Sequence, residues 1–155
     1  MIKIEDMMTR HPHTLTPTHT IEDARAFMEK YEIHHIPIVD QHQKILGIVS
    51  QRDILQAQHS CLNRDISPST ILLSHPLSEI MHTHMITVSP DAGLKESALF
   101  MQKHKVGCLP VIEHERLVGI ITDNDFVAIA INLLELQEEA EPDEFDDEDD
   151  AIDSL

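Results

Sequence analysis

The sequence predicts an α/β (α+β) fold, with two tandem repeats packed sheet to sheet about a pseudo-twofold axis and a disordered acidic C-terminal tail. Three observations carry this expectation. Residues 8–40 match residues 81–113 at a constant shift of 73, and such self-similarity marks a structural unit written twice. Each copy combines helical apolar spacing with β-branched runs of strand length. One copy alone is too small to bury both faces of its sheet, so two must pack together.

The elements follow in chain order. Thr14-Leu15-Thr16-Pro17 reads as a short strand. Thr20-Ile21-Glu22-Asp23 has capping-box spacing, and Ile21, Ala24, Phe27 and Met28 then recur at helical intervals to about Lys30. Residues 36–39 and 45–49 are β-branched runs separated by Asp40-Gln41-His42-Gln43-Lys44, the pattern of a hairpin with buried strands. Pro37 implies an edge position or an irregular strand start. Ser50 caps a second helix reaching about Gln58, and residues 59–75, with their Ser, Asn, Asp and Pro, read as a linker.

The second repeat is written in the same order. Thr87-Val88-Ser89-Pro90 answers Thr14-Leu15-Thr16-Pro17, Met101 answers Met28, and Leu109-Pro110-Val111-Ile112-Glu113 answers Ile36-Pro37-Ile38-Val39-Asp40. After a one-residue deletion the shift becomes 72, and Gly47-Ile48-Val49-Ser50-Gln51-Arg52-Asp53 meets Gly119-Ile120-Ile121-Thr122-Asp123-Asn124-Asp125. The chain is thus divided into a first repeat (1–58), a linker (59–75), a second repeat (76–139) and a tail (140–155). In the last helix Phe126, Val127, Ile129, Ala130, Ile131, Leu133, Leu134 and Leu136 cover nearly the whole circumference. One core cannot bury all those faces, which implies a homodimer.

Charge narrows the function classes. The net charge is −17, and residues 138–155 hold 11 acidic side chains and no basic one. That density of like charge, with no periodic apolar face, is the basis for expecting disorder in the tail. The preceding residues set 11 basic groups against 17 acidic ones, a net −6. Such a body is a poor electrostatic partner for nucleic acid or an anionic membrane. Aromatics make up 3% and Trp is absent, so base-stacking surfaces have little to be built from. Cys61 and Cys108 form no framework that needs an oxidising compartment. The first residues have charges where a leader needs an apolar run, and the longest apolar stretch is too short to span a bilayer. The expectation is a cytoplasmic protein.

The spacing of Thr-hydrophobic-x-Pro, hydrophobic-Pro-hydrophobic-hydrophobic-acidic and Gly-hydrophobic-hydrophobic-(Ser/Thr)-x-x-Asp, repeated in one order, resembles the cystathionine-β-synthase (CBS) domain pair, or Bateman module. Within that family the chain resembles the stand-alone bacterial members. The resemblance implies a non-catalytic regulatory or sensor module that binds AMP, ADP, ATP or S-adenosylmethionine in clefts between the repeats. No required cofactor is implied, and the regulated protein partner is not written in the sequence.

The residues that would carry the chemistry are Ser50 and Asp53 in the first repeat, with Thr122 and Asp125 as counterparts. A carboxylate accepts both hydroxyl protons of a ribose cis-diol, and a hydroxyl at a helix start bonds a sugar or phosphate oxygen beside free N–H groups. Ser-x-x-Asp is equally a helix cap, and Thr20 to Asp23 uses the same spacing where no ligand is suggested. Both roles stay open. Arg52, a forked phosphate donor, is replaced by Asn124, so the first cleft is expected to favour phosphorylated adenosines. The resemblance further implies adenine readout by backbone groups at Thr14, His35, Ile36, Pro37, Thr87, Cys108, Leu109 and Pro110.

Other chemistries lack their patterns. The histidine groupings His34-His35, His11/His13 and His82/His84 bring no Cys or clear third ligand, so no metal site is expected. There is no Walker-type loop, no Gly-x-Ser-x-Gly elbow and no catalytic Cys/His pair, so the expectation is not an enzyme. The alternative function is a ligand-free dimerisation or protein-interaction scaffold.

Overall fold

The computed structural model describes residues 1–63 and 72–140. A short helix α1 (Ile4–Met7) and strand β1 (Thr9–Arg10) lead into helix α2 (Ile21–Tyr31), the hairpin β2 (His35–Val39) and β3 (Ile45–Ser50), and helix α3 (Gln51–Asn63). The order then recurs as a 3₁₀ turn (Leu77–Glu79), α4 (Leu94–His104), β4 (Cys108–Glu113), β5 (Arg116–Thr122) and α5 (Asp123–Ala140). Helix α3 continues past Gln58, where its sequence suggests a linker, because no Gly or Pro interrupts it before Asn63. The polar residues there are only weakly unfavourable inside a helix. Most of the expected tail, residues 141–155, and residues 64–71 of the linker lie outside the described residues.

Local chemistry sets these boundaries. Thr20 Oγ1 accepts the Asp23 N–H at 3.1 Å while the Asp23 carboxylate accepts the Thr20 N–H at 2.9 Å, a reciprocal cap that starts α2. Helices α2 and α4 both end on a left-handed residue, Glu32 (φ 54°) and Lys105 (φ 53°). The next N–H turns back onto the helix, from Ile33 to the Met28 carbonyl at 3.1 Å and from Val106 to the Met101 carbonyl at 3.0 Å. Each helix is thereby aimed directly into the following strand.

Strands β2 and β3 pair antiparallel, as do β4 and β5. Each hairpin is widened by one parallel bridge, Leu15 to Ile38 and Val88 to Val111. Pro37 lies opposite Ile48 within β2 and is fully buried. Its carbonyl accepts the Leu15 N–H at 3.2 Å, so its hydrogen-less nitrogen faces the side where only that bridge pairs, and no ladder bond is lost. Pro110 repeats the arrangement with Val88 at 3.0 Å.

The two cores are interleaved. Leu77 packs with Ile21, Ala24, Met28, Ile36, Ile38 and Val49, whereas Ile4 and Met8 pack with Leu94, Met101, Leu109, Val111 and Ile121. The leading segment of each repeat therefore serves the other repeat. Backbone bonds run in equivalent sets, from Ile4 N–H to the Ala92 carbonyl (2.9 Å) and from Leu77 N–H to the His19 carbonyl (2.8 Å). Likewise Leu94 N–H meets the Ile2 carbonyl (2.9 Å) and Ile21 N–H the His75 carbonyl (3.0 Å).

The exchange also supplies edge strands, and it explains the glycines within β3 and β5. Strand β1 pairs with β5 of the second repeat, and His82 bridges to Ile48 of the first. A Cβ on Gly47 would stand 2.9 Å from the His82 carbonyl oxygen, and one on Gly119 would stand 3.1 Å from that of Thr9. Only glycine lets the crossing backbone approach so closely.

Candidate functional site

Each repeat places a hydroxyl and a carboxylate where its second strand becomes its second helix. The Ser50 N–H donates to Asp53 Oδ2 at 2.8 Å, and the Asp53 N–H donates to Ser50 Oγ at 3.2 Å. In the second repeat the Thr122 N–H donates to Asp125 Oδ2 at 2.8 Å, and the Asp125 N–H donates to Thr122 Oγ1 at 3.3 Å. The capping role is therefore real in both. It uses one carboxylate oxygen and leaves the other, Oδ1, to be accounted for.

The fate of Oδ1 differs between the repeats. Asp53 Oδ1 is 2.7 Å from His82 Nε2, and its side chain is only 11% exposed. Asp125 Oδ1 has Thr9 Oγ1 at 3.4 Å, a weak bond by length. Thr9 and His82 are themselves equivalents at the shift of 73.

Two cavities meet between the repeats. One, of about 430 Å³, is lined by residues 9–13 and 32–35, Ile120 and residues 122–125. The other, of about 580 Å³, is lined by His34, His35, Gln51, Arg52, Leu55, residues 105–107 and Asp123. His34, His35 and Asp123 border both. These volumes lie in the range that small-molecule sites occupy. Asp53 opens instead on a smaller space of about 210 Å³, shared with Gln56, Ala57, Ser60, Ile80 and His82.

Each repeat also closes a hydrogen-bonded turn of its own at this junction. Gln51 N–H donates to the His34 carbonyl (2.9 Å) and Asp123 N–H to the Gly107 carbonyl (3.0 Å), again as equivalents. A Cβ on Gly107 would stand 3.1 Å from His35 Nε2, so Gly107 leaves room for that ring. Burial pushes the His35 pKa down, with the Asp123 carboxylate opposing, which favours the neutral imidazole.

Of the residues singled out in the sequence, His35, Arg52, Thr122 and Asp125 border the larger cavities, and Asp53 borders the smaller one. Ser50 sits in its cap. Ile36, Pro37, Leu109 and Pro110 are buried strand residues. Cys108 is buried too, and loss of solvation pushes its thiol up to about 12, so it is no nucleophile at neutral pH. Thr14 is half-buried and Thr87 exposed, each one residue before its bridge residue. Arg10, Pro12 and Lys105 also line these cavities without a motif to mark them, and His11 and His82 stand out in the sequence only as members of histidine pairs. The Thr9–His82 mismatch at the repeat shift is the signal that would have drawn attention to the last.

The family model described as CBS domain matches residues 4–60 and 77–132. The chain belongs to the CBS domain family. As a CBS pair it is 29% identical over 132 residues to the CBS domain-containing protein YhcV of Bacillus subtilis, covering 85% of this chain and 86% of that one. It superimposes on a Vibrio cholerae protein named for acetoin utilization (AcuB) with a TM-score of 0.79 at 62% identity, covering 89% of this chain and 98% of the other. It also resembles the CBS domain pair of protein MJ0100, solved with 5′-methylthioadenosine and S-adenosyl-L-methionine (TM-score 0.71, 27% identity, 85% and 98% covered). The longer enzymes among its curated relatives, inosine-5′-monophosphate dehydrogenases included, contain the matching region as 22–24% of their length. CBS pairs are in general regulatory ligand-binding modules, and those enzymes carry theirs beside separate sequence.

Proposed function

We propose that this CBS pair is a non-catalytic sensor of an adenosine-containing ligand, held in the cleft between Thr9 and Asp125. The supporting observation is the Asp125 carboxylate, which borders a cavity of about 430 Å³, is fixed through Oδ2 by its own helix cap, and has only a long contact at Oδ1, to Thr9 Oγ1 at 3.4 Å, among the described residues. A fixed carboxylate of this kind accepts the two hydroxyl protons of a ribose cis-diol. The adjoining cavity offers Arg52 and Lys105 to a 5′-phosphate, and residues 9–13 offer backbone groups to the base. Thr122, His35 and Asp123 complete the wall. The MJ0100 complex supports adenosine as the shared chemical feature.

Regulation requires that ligand bind one conformation more tightly than another. The clefts lie between repeats that exchange segments, so occupancy can alter how the two halves sit. The regulated partner is a protein, and the module acts in the cytoplasm. The exposed apolar positions Val127, Ile131, Leu133, Leu134 and Leu136 of α5 favour a homodimer as the functional unit.

Calorimetry with AMP, ATP and S-adenosylmethionine tests the ligand reading. Binding that Asp125→Asn weakens at least about tenfold, a loss of about 1.4 kcal/mol, supports it. No heat and no melting shift with any of the three at millimolar concentration would leave the scaffold alternative.

A further inference from the structure

We infer that His82 is a specificity-determining residue that occupies the Asp53 carboxylate, so that of two equivalent carboxylates only Asp125 is open to a ligand diol. The inference rests on the adenosine reading above and adds to it the reason why one chain would hold two unequal clefts.

In the first repeat both oxygens of Asp53 are engaged, Oδ2 by the Ser50 N–H at 2.8 Å and Oδ1 by His82 Nε2 at 2.7 Å. In the second, Oδ2 of Asp125 is engaged by Thr122, and among the described residues Oδ1 meets only Thr9 Oγ1 at 3.4 Å. A diol approaching Asp53 must therefore break a short bond that a diol approaching Asp125 does not meet. The space available agrees, at about 210 Å³ beside Asp53 against about 430 Å³ beside Asp125.

The His82 ring is delivered by backbone. Ile48 N–H donates to the His82 carbonyl at 3.0 Å, and His82 N–H donates to the Ile48 carbonyl at 2.9 Å. Gly47 lets this edge lie against β3. The imidazole itself is 67% exposed, so it can swing from Asp53 without unpacking any core. His82 acts as a displaceable occupant, raising the requirement for ligand at one cleft through a competing contact.

Calorimetry on the full chain with AMP as the probe tests this, using His82→Ala, Asp53→Asn, Asp125→Asn and the His82→Ala/Asp53→Asn pair. The expected result is one AMP per chain in the wild type, lost with Asp125→Asn, and a second AMP in His82→Ala that the added Asp53→Asn removes. Two equivalent sites in the wild type, or a single site in His82→Ala, would overturn it. Absence of AMP binding in every variant would sink the adenosine reading instead. The occupant would then be judged by NMR, through the ¹⁵N shifts of the His82 ring: a change on Asp53→Asn supports the contact, and unchanged shifts refute it.

Discussion

Ile4 and Leu77 are counterparts across the pseudo-twofold axis, and each is wholly buried in the core of the repeat that its own position in the chain does not adjoin. Residues so near the first Met ordinarily tolerate change. Here Ile4→Ala is expected to cost about 2–5 kcal/mol, the range for deleting a buried aliphatic side chain. Ile2→Ala, at a side chain 50% exposed, should change stability by less than about 0.5 kcal/mol. Urea denaturation of the two variants checks the contrast, and equal effects would refute the exchange.

The glycine before β3's buried run is the second test. Gly47→Ala is expected to destabilise by about 1–3 kcal/mol, because the added methyl meets the His82 carbonyl oxygen at 2.9 Å, which cannot move aside as the neighbouring Met81 side chain can. The same substitution should loosen the His82 edge, visible as faster amide exchange at Ile48 and His82. Unchanged exchange at both would show that the close approach is not a constraint.

Acid should weaken the fold through its caps and turns. The pKa of Asp23 is lowered chiefly by the Thr20 N–H, that of Asp40 by the His42 N–H and that of Asp91 by the Ser89 hydroxyl, each from an ordinary value of 3.8. A carboxyl group with a depressed folded-state pKa stabilises above its unfolded value and loses that contribution as pH falls through the folded one. Melting temperature is therefore expected to hold above pH 5 and to decline below about pH 4. Asp23→Asn should make that decline shallower while lowering the plateau, and a steeper decline would contradict the assignment.

Cys108 should be silent. With its thiol pushed up to about 12 by burial, it is expected to resist iodoacetamide at pH 8 in the native chain and to react fully in denaturant. Peptide mass spectrometry reads the modification at Cys108 separately from that at Cys61. Rapid native labelling at Cys108 would mean that β4 opens.

The dimer reading has a direct check on α5. Ile131→Glu places a charge among Val127, Leu134 and the other exposed apolar residues, and is expected to shift sedimentation from dimer to monomer without lowering helix content. A monomeric wild type would remove the proposal.

Much of this architecture was legible in the sequence. The shift of 73 paired Thr16 with Ser89 and Met28 with Met101, and the structure pairs their surroundings bond for bond. The Thr20 cap and the two hairpins follow from side-chain chemistry within a few residues. The exchange was not legible, because Ile4 and Leu77 are apolar in a pattern that says they are buried but not in which core. The end of α3 was misplaced since Ser60 and Asn63 favour turns only weakly. The inequality of Asp53 and Asp125 depends on His82, distant in sequence, and the Arg52 to Asn124 difference does not reveal it. Arg52 borders the central cavity and not the space beside Asp53.

The exchanged segments have one more consequence, for a chain that is cut. Neither half carries a complete interior: residues 1–63 lack Leu77, and residues from 72 onward lack Ile4 and Met8. Expressed singly, each half would leave a docking groove bare and should be soluble only with its complement. A protease nick within residues 64–71 should nevertheless leave the pair associated, because the two pieces clasp each other by backbone bonds that the missing peptide link does not supply. Mixing separately made fragments should regenerate one cooperative melting transition, as in split reporter proteins, whereas a fold of two self-sufficient lobes would show two.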